Sequence, residues 1–193
     1  SFGEDKILVT KRASALMRGI QRQGVFATGK HFPGHGDTSV DSHYTLPVVN
    51  FLKERLENTE FYPYKKLFKD GLASVMVAHL QVPALEPREN YPTSLSYNVV
   101  TTVLQKELGF KGLIFTDALN MKGATNFKQP GDIDLEALLA GNDILLFAED
   151  VPLALEKICV AYQDSILTEE RLEHSVKKIL KYIEMYFTYG ILI

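Results

Sequence analysis

Short runs of apolar residues alternate along the chain with longer stretches in which apolar positions recur every three or four residues. The short runs predict buried strands at 25–28, 74–78, 113–116 and 144–147. The longer stretches predict amphipathic helices, the first with a shared face of Ala13, Leu16, Met17 and Ile20 and an end at Gly24. Further helices are predicted around 64–71, 96–109, 135–141, 155–162 and 168–183. Buried strands that alternate with helices predict an α/β fold with a parallel sheet covered on both faces.

Composition places the chain among ordinary globular proteins and adds several expectations. The 193 residues, 46% of them hydrophobic, suffice for one domain, which we take as 1–193. A net charge of −3 provides no electrostatic basis for binding nucleic acid, and no apolar run approaches the roughly 18 residues that cross a bilayer. The single Cys159 cannot form an internal disulfide and is predicted to be a small core residue. Lys177 and Lys178 are predicted to lie on a solvated helix face.

Polar residues stand at the carboxyl ends of three predicted strands, where parallel α/β folds collect their chemistry. Lys30 and His31 follow the first strand, His79 follows the second and Asp117 follows the third. A carboxylate in the Asp117 position could serve as a nucleophile, a base or a metal ligand. The alternative is a structural N-cap for the segment that follows.

A polar, glycine-rich loop begins at Lys30 and contains the spacing His31-x-x-x-His35 followed by Asp37. That spacing would suit a metal ion, but Pro33 and Gly34 interrupt the helix that would place both histidines on one face. We therefore expect no metal. The remaining alternatives are a loop held in shape by its histidines and a site where Lys30 and His31 donate to substrate hydroxyls.

The segment Asp41-Ser42-His43 contains a carboxylate two residues from an imidazole. An aspartate bonded to one ring nitrogen fixes the tautomer and leaves the other nitrogen for proton transfer near neutral pH. The alternative is an Asx turn with His43 exposed.

Taken together, these motifs resemble glycoside hydrolase family 3, and more narrowly its bacterial β-N-acetylglucosaminidases that act on peptidoglycan fragments. The resemblance extends over nearly the whole chain. The matching segments are Lys30-His31-Phe32-Pro33-Gly34-His35-Gly36-Asp37, Asp41-Ser42-His43 with Pro47, Met76–His79, Pro92–Ser96, Gly112–Ala124, Gly141–Leu146 and Ser175–Leu180.

The resemblance implies a retaining exo-β-N-acetylglucosaminidase that needs no cofactor. Asp117 would be the nucleophile, and His43 paired with Asp41 would be the general acid/base in place of the usual second carboxylate. Lys30 and His31 would bind sugar hydroxyls, and we assign His79 to the same substrate-binding group. The implied substrate is GlcNAc linked to a muramic acid residue, with water as acceptor and phosphate as a related alternative.

The resemblance also implies that this chain supplies only about strands 5–8, the C-terminal half, of a (β/α)8 barrel. A half barrel leaves open strand edges and an uncovered core, so we expect the chain alone to have little or no activity, and we expect the N-terminal half as a partner. Two alternatives stay open. One is a metal-dependent hydrolase that uses His31, His35, His43 and Asp117, and the other is a non-catalytic carbohydrate-binding fragment.

Overall fold

The fold is built on three parallel strands and the helices that connect them, in a computed structural model that describes residues 2–36, 38 and 46–189, without the side chains of Tyr186 and Tyr189. The strands are β1 (Thr28–Phe32), β2 (Ser74–Val77) and β3 (Leu113–Thr116), side by side in that order. Ser74 pairs with Thr28 on one side and with Leu113 on the other. The prediction for β3 is confirmed, and that for β2 is confirmed to within one residue.

The first strand lies about three residues later than its apolar run predicted. Val25 is exposed, whereas Thr28 and Gly29 pair with β2, the register is irregular over Lys30 and His31, and pairing resumes at the buried Phe32. The prediction was wrong because the apolar run ends where the strand begins, and the strand itself is mostly polar.

The predicted fourth strand is an extended segment with one ladder bridge, between Phe115 and Ile144. Ile144 accepts a hydrogen bond from the Thr116 N–H, and Leu146 accepts one from the Leu119 N–H. The segment then turns at Phe147, whose φ is +51°. It runs parallel to β3 without forming a regular strand.

A helix forms at each of the predicted stretches, and two short helices, Lys53–Asn58 and Lys122–Thr125, lie outside them. Ser96 and Thr168 act as N-caps as predicted, accepting from the N–H groups of Val99 and Arg171. Gly141 ends its helix with φ +117°, a conformation that favours glycine. The helices are α1 (Lys6–Gln21), α2 (Lys53–Asn58), α3 (Phe61–Lys69), a π-helix (Asn98–Glu107), α4 (Lys122–Thr125), α5 (Asp132–Ala140), α6 (Val151–Gln163) and α7 (Glu169–Tyr189). In the part of the chain that the structure describes, none is long and apolar enough for a transmembrane span.

Two of the three buried clusters of the described residues support the sheet, and the third, of Leu138, Ala161 and Leu167, joins α5 to α6. The larger lies between the sheet, α1, α3 and the π-helix, where Phe32 stacks on Phe61 with ring centroids 5.5 Å apart. The smaller includes Leu95, Leu119 and Ile133, beneath the loops that leave β2 and β3. Cys159 joins neither cluster: it is exposed on α6, so the prediction of a core residue was wrong. Its neighbours are apolar, but the solvent-facing side of α6 is itself partly apolar.

The terminal helix α7 is anchored by a buried polar cluster centred on Asp143. The Asp143 carboxylate accepts from the Ile114 N–H at 2.9 Å, from the Ser175 hydroxyl at 2.6 Å and from Lys178 Nζ at 2.5 Å. Arg171 adds donors to the Leu138 and Asn142 carbonyls. Lys178 is therefore not solvated as predicted, because it shares the inner face of α7 with Arg171 and Ser175 at helical spacing.

The neighbouring lysines provide a matched test of this cluster. We expect Lys178→Ala to lower the free energy of unfolding by about 3 kcal/mol, because it leaves the Asp143 carboxylate buried without its cation. Lys177→Ala should change it by less than about 0.5 kcal/mol, because Lys177 pairs with Glu173 in solvent. Urea unfolding measures both. Equal losses would show that the buried pair does not stabilise α7.

Candidate active site

The sequence-predicted residues that the structure describes gather at the carboxyl ends of the three strands. Lys30 and His31 belong to the second half of β1 instead of following it, His79 lies two residues after β2, and Asp117 directly follows β3. Because the strands are parallel and adjacent, all three positions share one edge of the sheet.

Asp117 is held by its backbone and by one of its carboxylate oxygens. Its N–H donates to the Val77 carbonyl of β2 at 2.9 Å. Its Oδ1 accepts from the Ala118 N–H at 2.9 Å, and its Oδ2 lies 3.9 Å from His31 Nε2. The side chain keeps 14% of its surface exposed. The carboxylate is thus oriented by the protein and still reaches the surface.

The alternative role of Asp117 as a helix N-cap is wrong. The next helix begins at Lys122, with Met121 in the N-cap position. The carboxylate instead accepts from the adjacent Ala118 N–H. That N–H lies five residues before the first helix N–H that a capping side chain would bond.

The histidines of the glycine-rich loop are part of its internal bonding. The His31 and His35 ring centroids are 5.8 Å apart. Thr38 Oγ1 lies 2.6 Å from His35 Nδ1 and also donates to the His35 carbonyl. Gly34 (φ +140°) passes so close to Glu60 that a Cβ would lie 2.6 Å from its Cγ. These contacts shape the loop that follows β1, next to His31.

His79 is completely buried, which changes the role that we assign to it. Its Nδ1 lies 2.6 Å from the Ser94 hydroxyl, and its Nε2 lies 3.0 Å from the Ala118 carbonyl. Burial lowers the pKa of the ring, against smaller opposing effects of the Ala118 carbonyl and the Asp117 charge. With both nitrogens engaged by the protein, His79 does not present a donor to a ligand as the sequence-based assignment required.

Asp41 and His43 lie outside the described residues, as does Asp37. Among the described residues, no group of three histidine, cysteine, aspartate or glutamate side chains is placed to hold a metal ion. Sequence reasoning missed Ser94 and Ala118 as contributors to this site. Ser94 lies in one of the segments that carry the family resemblance, but neither a serine hydroxyl nor a backbone carbonyl has a sequence signature for this role.

A cavity of about 660 Å³ lies beside β1, not at Asp117. Its walls are apolar side chains of α1 and α3, and Gly29, Lys30 and His31 of β1 form its third side. Asp117 does not line it. The cavity is therefore a groove along β1, at the edge of the sheet that the described residues form. His31 and His35 are among the residues that line it.

Comparison with known proteins shows the family to which this chain belongs. Residues 1–182 match the glycosyl hydrolase family 3 N-terminal domain. The β-hexosaminidase A of Pseudoalteromonas piscicida is 33% identical over 94% of this chain and 33% of its own length. The structure of a family 3 β-N-acetylglucosaminidase from a Paenibacillus species has a TM-score of 0.92 and 38% identity, over 97% of this chain and 36% of that protein. A β-glucoside phosphorylase bound to 2FGlc has a TM-score of 0.92 and 28% identity, over 100% of this chain and 36% of its own.

The fold is of the α/β, barrel-like type, and it presents an oriented carboxylate at the end of a strand. The chain belongs to glycoside hydrolase family 3. It spans about a third of the length of the relatives described above.

Proposed function

We propose that this chain forms the C-terminal half of the catalytic barrel of a retaining exo-β-N-acetylglucosaminidase. The observation that carries the proposal is the Asp117 carboxylate: one oxygen is fixed by a backbone N–H, and the other faces His31 at the exposed end of β3. A nucleophile needs this combination, because its position must be held while one lone pair stays available to the substrate.

The reaction proceeds in two displacements. Asp117 Oδ2 attacks the anomeric carbon and forms a glycosyl ester while the glycosidic C–O bond breaks, and the His43 imidazolium gives its proton to the leaving oxygen. His43, now neutral, takes a proton from water, and the resulting hydroxide displaces Asp117 and regenerates the carboxylate. Asp41 would hold the ring of His43 in the required tautomer.

The substrate proposed is a terminal GlcNAc β-linked to N-acetylmuramic or anhydromuramic acid. Lys30, which is exposed, and His31, which is half-buried, would donate to the sugar hydroxyls at the carboxyl end of β1. The hexosaminidase and N-acetylglucosaminidase relatives support the sugar. The phosphorylase relative keeps phosphate as the alternative acceptor, and product analysis with and without phosphate distinguishes the two.

The partner proposed is the N-terminal half of the barrel. The groove beside β1 has an apolar lining and lies along the edge of β1 that pairs with no described strand, where a strand of the N-terminal half would pair. Leu16 of α1 and Phe2 are exposed at this side of the sheet. At the other side, the segment after β3 forms only one ladder bridge, and α6 exposes Val151 and Leu155. Both sides would gain burial when the barrel closes.

Removing the nucleophile should abolish turnover. We expect Asp117→Ala, in the complete barrel, to lower kcat by about 10⁴-fold or more, because no covalent intermediate forms. Asp132→Ala is the control, since that carboxylate pairs with Lys157 at the surface, and it should keep the parent rate. Mass spectrometry after exposure to a 2-fluoro sugar should find the label on Asp117. A label elsewhere, or an unchanged rate, would overturn the assignment of the nucleophile.

Removing the proton donor should matter only for leaving groups that need a proton. We expect His43→Ala to slow cleavage of a muramyl glycoside by about 10²–10⁴-fold, and to spare the glycosylation step with a 2,4-dinitrophenyl glycoside. His174→Ala, on the exposed side of helix α7, is the control. Pre-steady-state kinetics measures the two steps separately, and equal slowing of glycosylation for both leaving groups would contradict the role.

The chain by itself should be a poor enzyme. We expect it to hydrolyse 4-nitrophenyl N-acetylglucosaminide about 10²-fold or more slowly than the complete barrel, because half of the sugar-binding surface is absent. Adding the N-terminal half as a separate polypeptide should raise the rate. Hydrolysis by the isolated chain at the rate of the complete barrel would refute the half-barrel proposal.

A further inference from the structure

We propose that His79 is a positioning residue for Asp117, acting through the carbonyl of Ala118 and held in its working tautomer by Ser94. This inference rests on the proposed function, because it takes Asp117 to be the nucleophile. It assigns to His79 no contact with substrate.

The hydrogen bonds of His79 determine which nitrogen carries the proton. The Ala118 carbonyl can only accept, so the 3.0 Å contact requires a proton on Nε2. Burial disfavours the doubly protonated ring, so Nδ1 is the bare nitrogen and accepts from the Ser94 hydroxyl at 2.6 Å. Ser94 is itself completely buried. The serine thus selects the tautomer that can hold Ala118.

Ala118 is the link between His79 and the nucleophile. Its N–H donates to Asp117 Oδ1, and its carbonyl accepts from His79. The backbone on either side is tied to neighbouring strand segments, through Asp117 N–H to Val77 and through Leu119 N–H to Leu146. The Ala118 carbonyl shares one peptide plane with the Leu119 N–H, so His79 and Leu146 hold that plane together. The Ala118 N–H lies in the preceding plane, which pivots on the same Cα atom. Losing the His79 bond would let the first plane tilt and shift that Cα, and with it the N–H that orients Asp117 Oδ1.

His79 is itself rigidly mounted. Thr93 Oγ1 donates to the Ala78 carbonyl, and the Leu80 N–H donates to Thr93 Oγ1, so the backbone is held on both sides of His79. The Ser94 carbonyl accepts from Asn142 Nδ2, which is completely buried. In the short turn Thr93–Leu95, Thr93 therefore holds the backbone on both sides of His79, and Ser94 holds the imidazole ring.

A purely packing role does not account for this arrangement. An apolar side chain could fill the same space, but it would leave the Ser94 hydroxyl and the Ala118 carbonyl without these partners. A fully satisfied buried polar network specifies one geometry more sharply than apolar contacts do. Asp117 directly precedes Ala118 of this network in the chain, and the placement of its carboxylate determines the rate of the proposed reaction.

Two substitutions separate the two hydrogen bonds of the ring. The amide nitrogen of His79→Gln can occupy the Nε2 position and donate to Ala118, whereas His79→Asn matches only the Nδ1 position and cannot reach it. In the complete barrel, we expect His79→Asn to lower kcat by about 10²-fold with little change in KM, and His79→Gln to recover at least about tenfold of that loss. Ser94→Ala should lower kcat by a smaller factor, because the tautomer is no longer selected.

The measurement is the rate at which a 2-fluoro sugar labels Asp117, normalised to the number of sites that finally label. A role in folding alone would reduce the number of labelled sites and leave the rate per site unchanged. We expect instead a slower rate per site in His79→Asn and recovery in His79→Gln. Equal rates per site in the parent and His79→Asn, or equal loss in the Asn and Gln variants, would overturn the inference. Failure of the parent protein to label at Asp117 would overturn the proposed function instead.

Discussion

The placement of one carboxylate at the end of β3 is the constraint on which the rest of the site depends. Asp117 is the first residue after the strand, and its N–H continues the ladder by bonding Val77 of β2. The next N–H along the chain, from Ala118, binds the Asp117 side chain. The carboxylate is thus positioned by the same backbone bonding that forms the sheet, and the rigidity of the sheet passes directly to the proposed nucleophile.

The two oxygens of Asp117 have different surroundings. Oδ1 is fixed by a backbone donor, and Oδ2 lies near the imidazole of His31, which arrives from β1. Held this way, the proposed nucleophile would lose little orientational freedom when substrate binds. β1 brings His31 to the carboxylate as part of the sheet. His79 holds the adjacent Ala118 from inside the protein, through a buried network that is not exposed to solvent.

The opposite end of the molecule uses buried charge for stability. The Asp143 cluster joins the N–H of β3 residue Ile114 to α7, and Tyr182 of the same helix packs on Phe26, just before β1. These contacts involve the amino ends of the strands, whereas Asp117 lies at the carboxyl end. Separation of a stabilising end from a reactive end is usual in β/α barrels, and it lets the reactive end keep polar groups that contribute little to folding.

Much of the fold could be predicted from the sequence, because helices and central strands leave a periodic apolar signature. The strand over 113–116 and the N-caps Ser96 and Thr168 follow from local patterns that tertiary packing does not override. The elements at the edges of the sheet were harder to predict. β1 is polar, so apolar content placed the strand too early in the chain. The segment after β3 is apolar but forms one bridge, so apolar content predicted a regular strand there. The position of Asp117 at a strand end was also predicted, because an acidic residue that ends an apolar run is visible in one dimension.

The sequence by itself determined the order of elements, the class of fold and the residue types available for chemistry. The tertiary structure decided which of those residues act at the surface and which act from within. His79 and Asp117 are equivalent in the sequence, each a polar residue at the end of a buried strand. The Thr93–Leu95 turn encloses His79 and does not enclose Asp117. That turn begins 14 residues further along the chain from His79. Local spacing cannot encode such a contact, because burial depends on which distant segments the folded chain brings together.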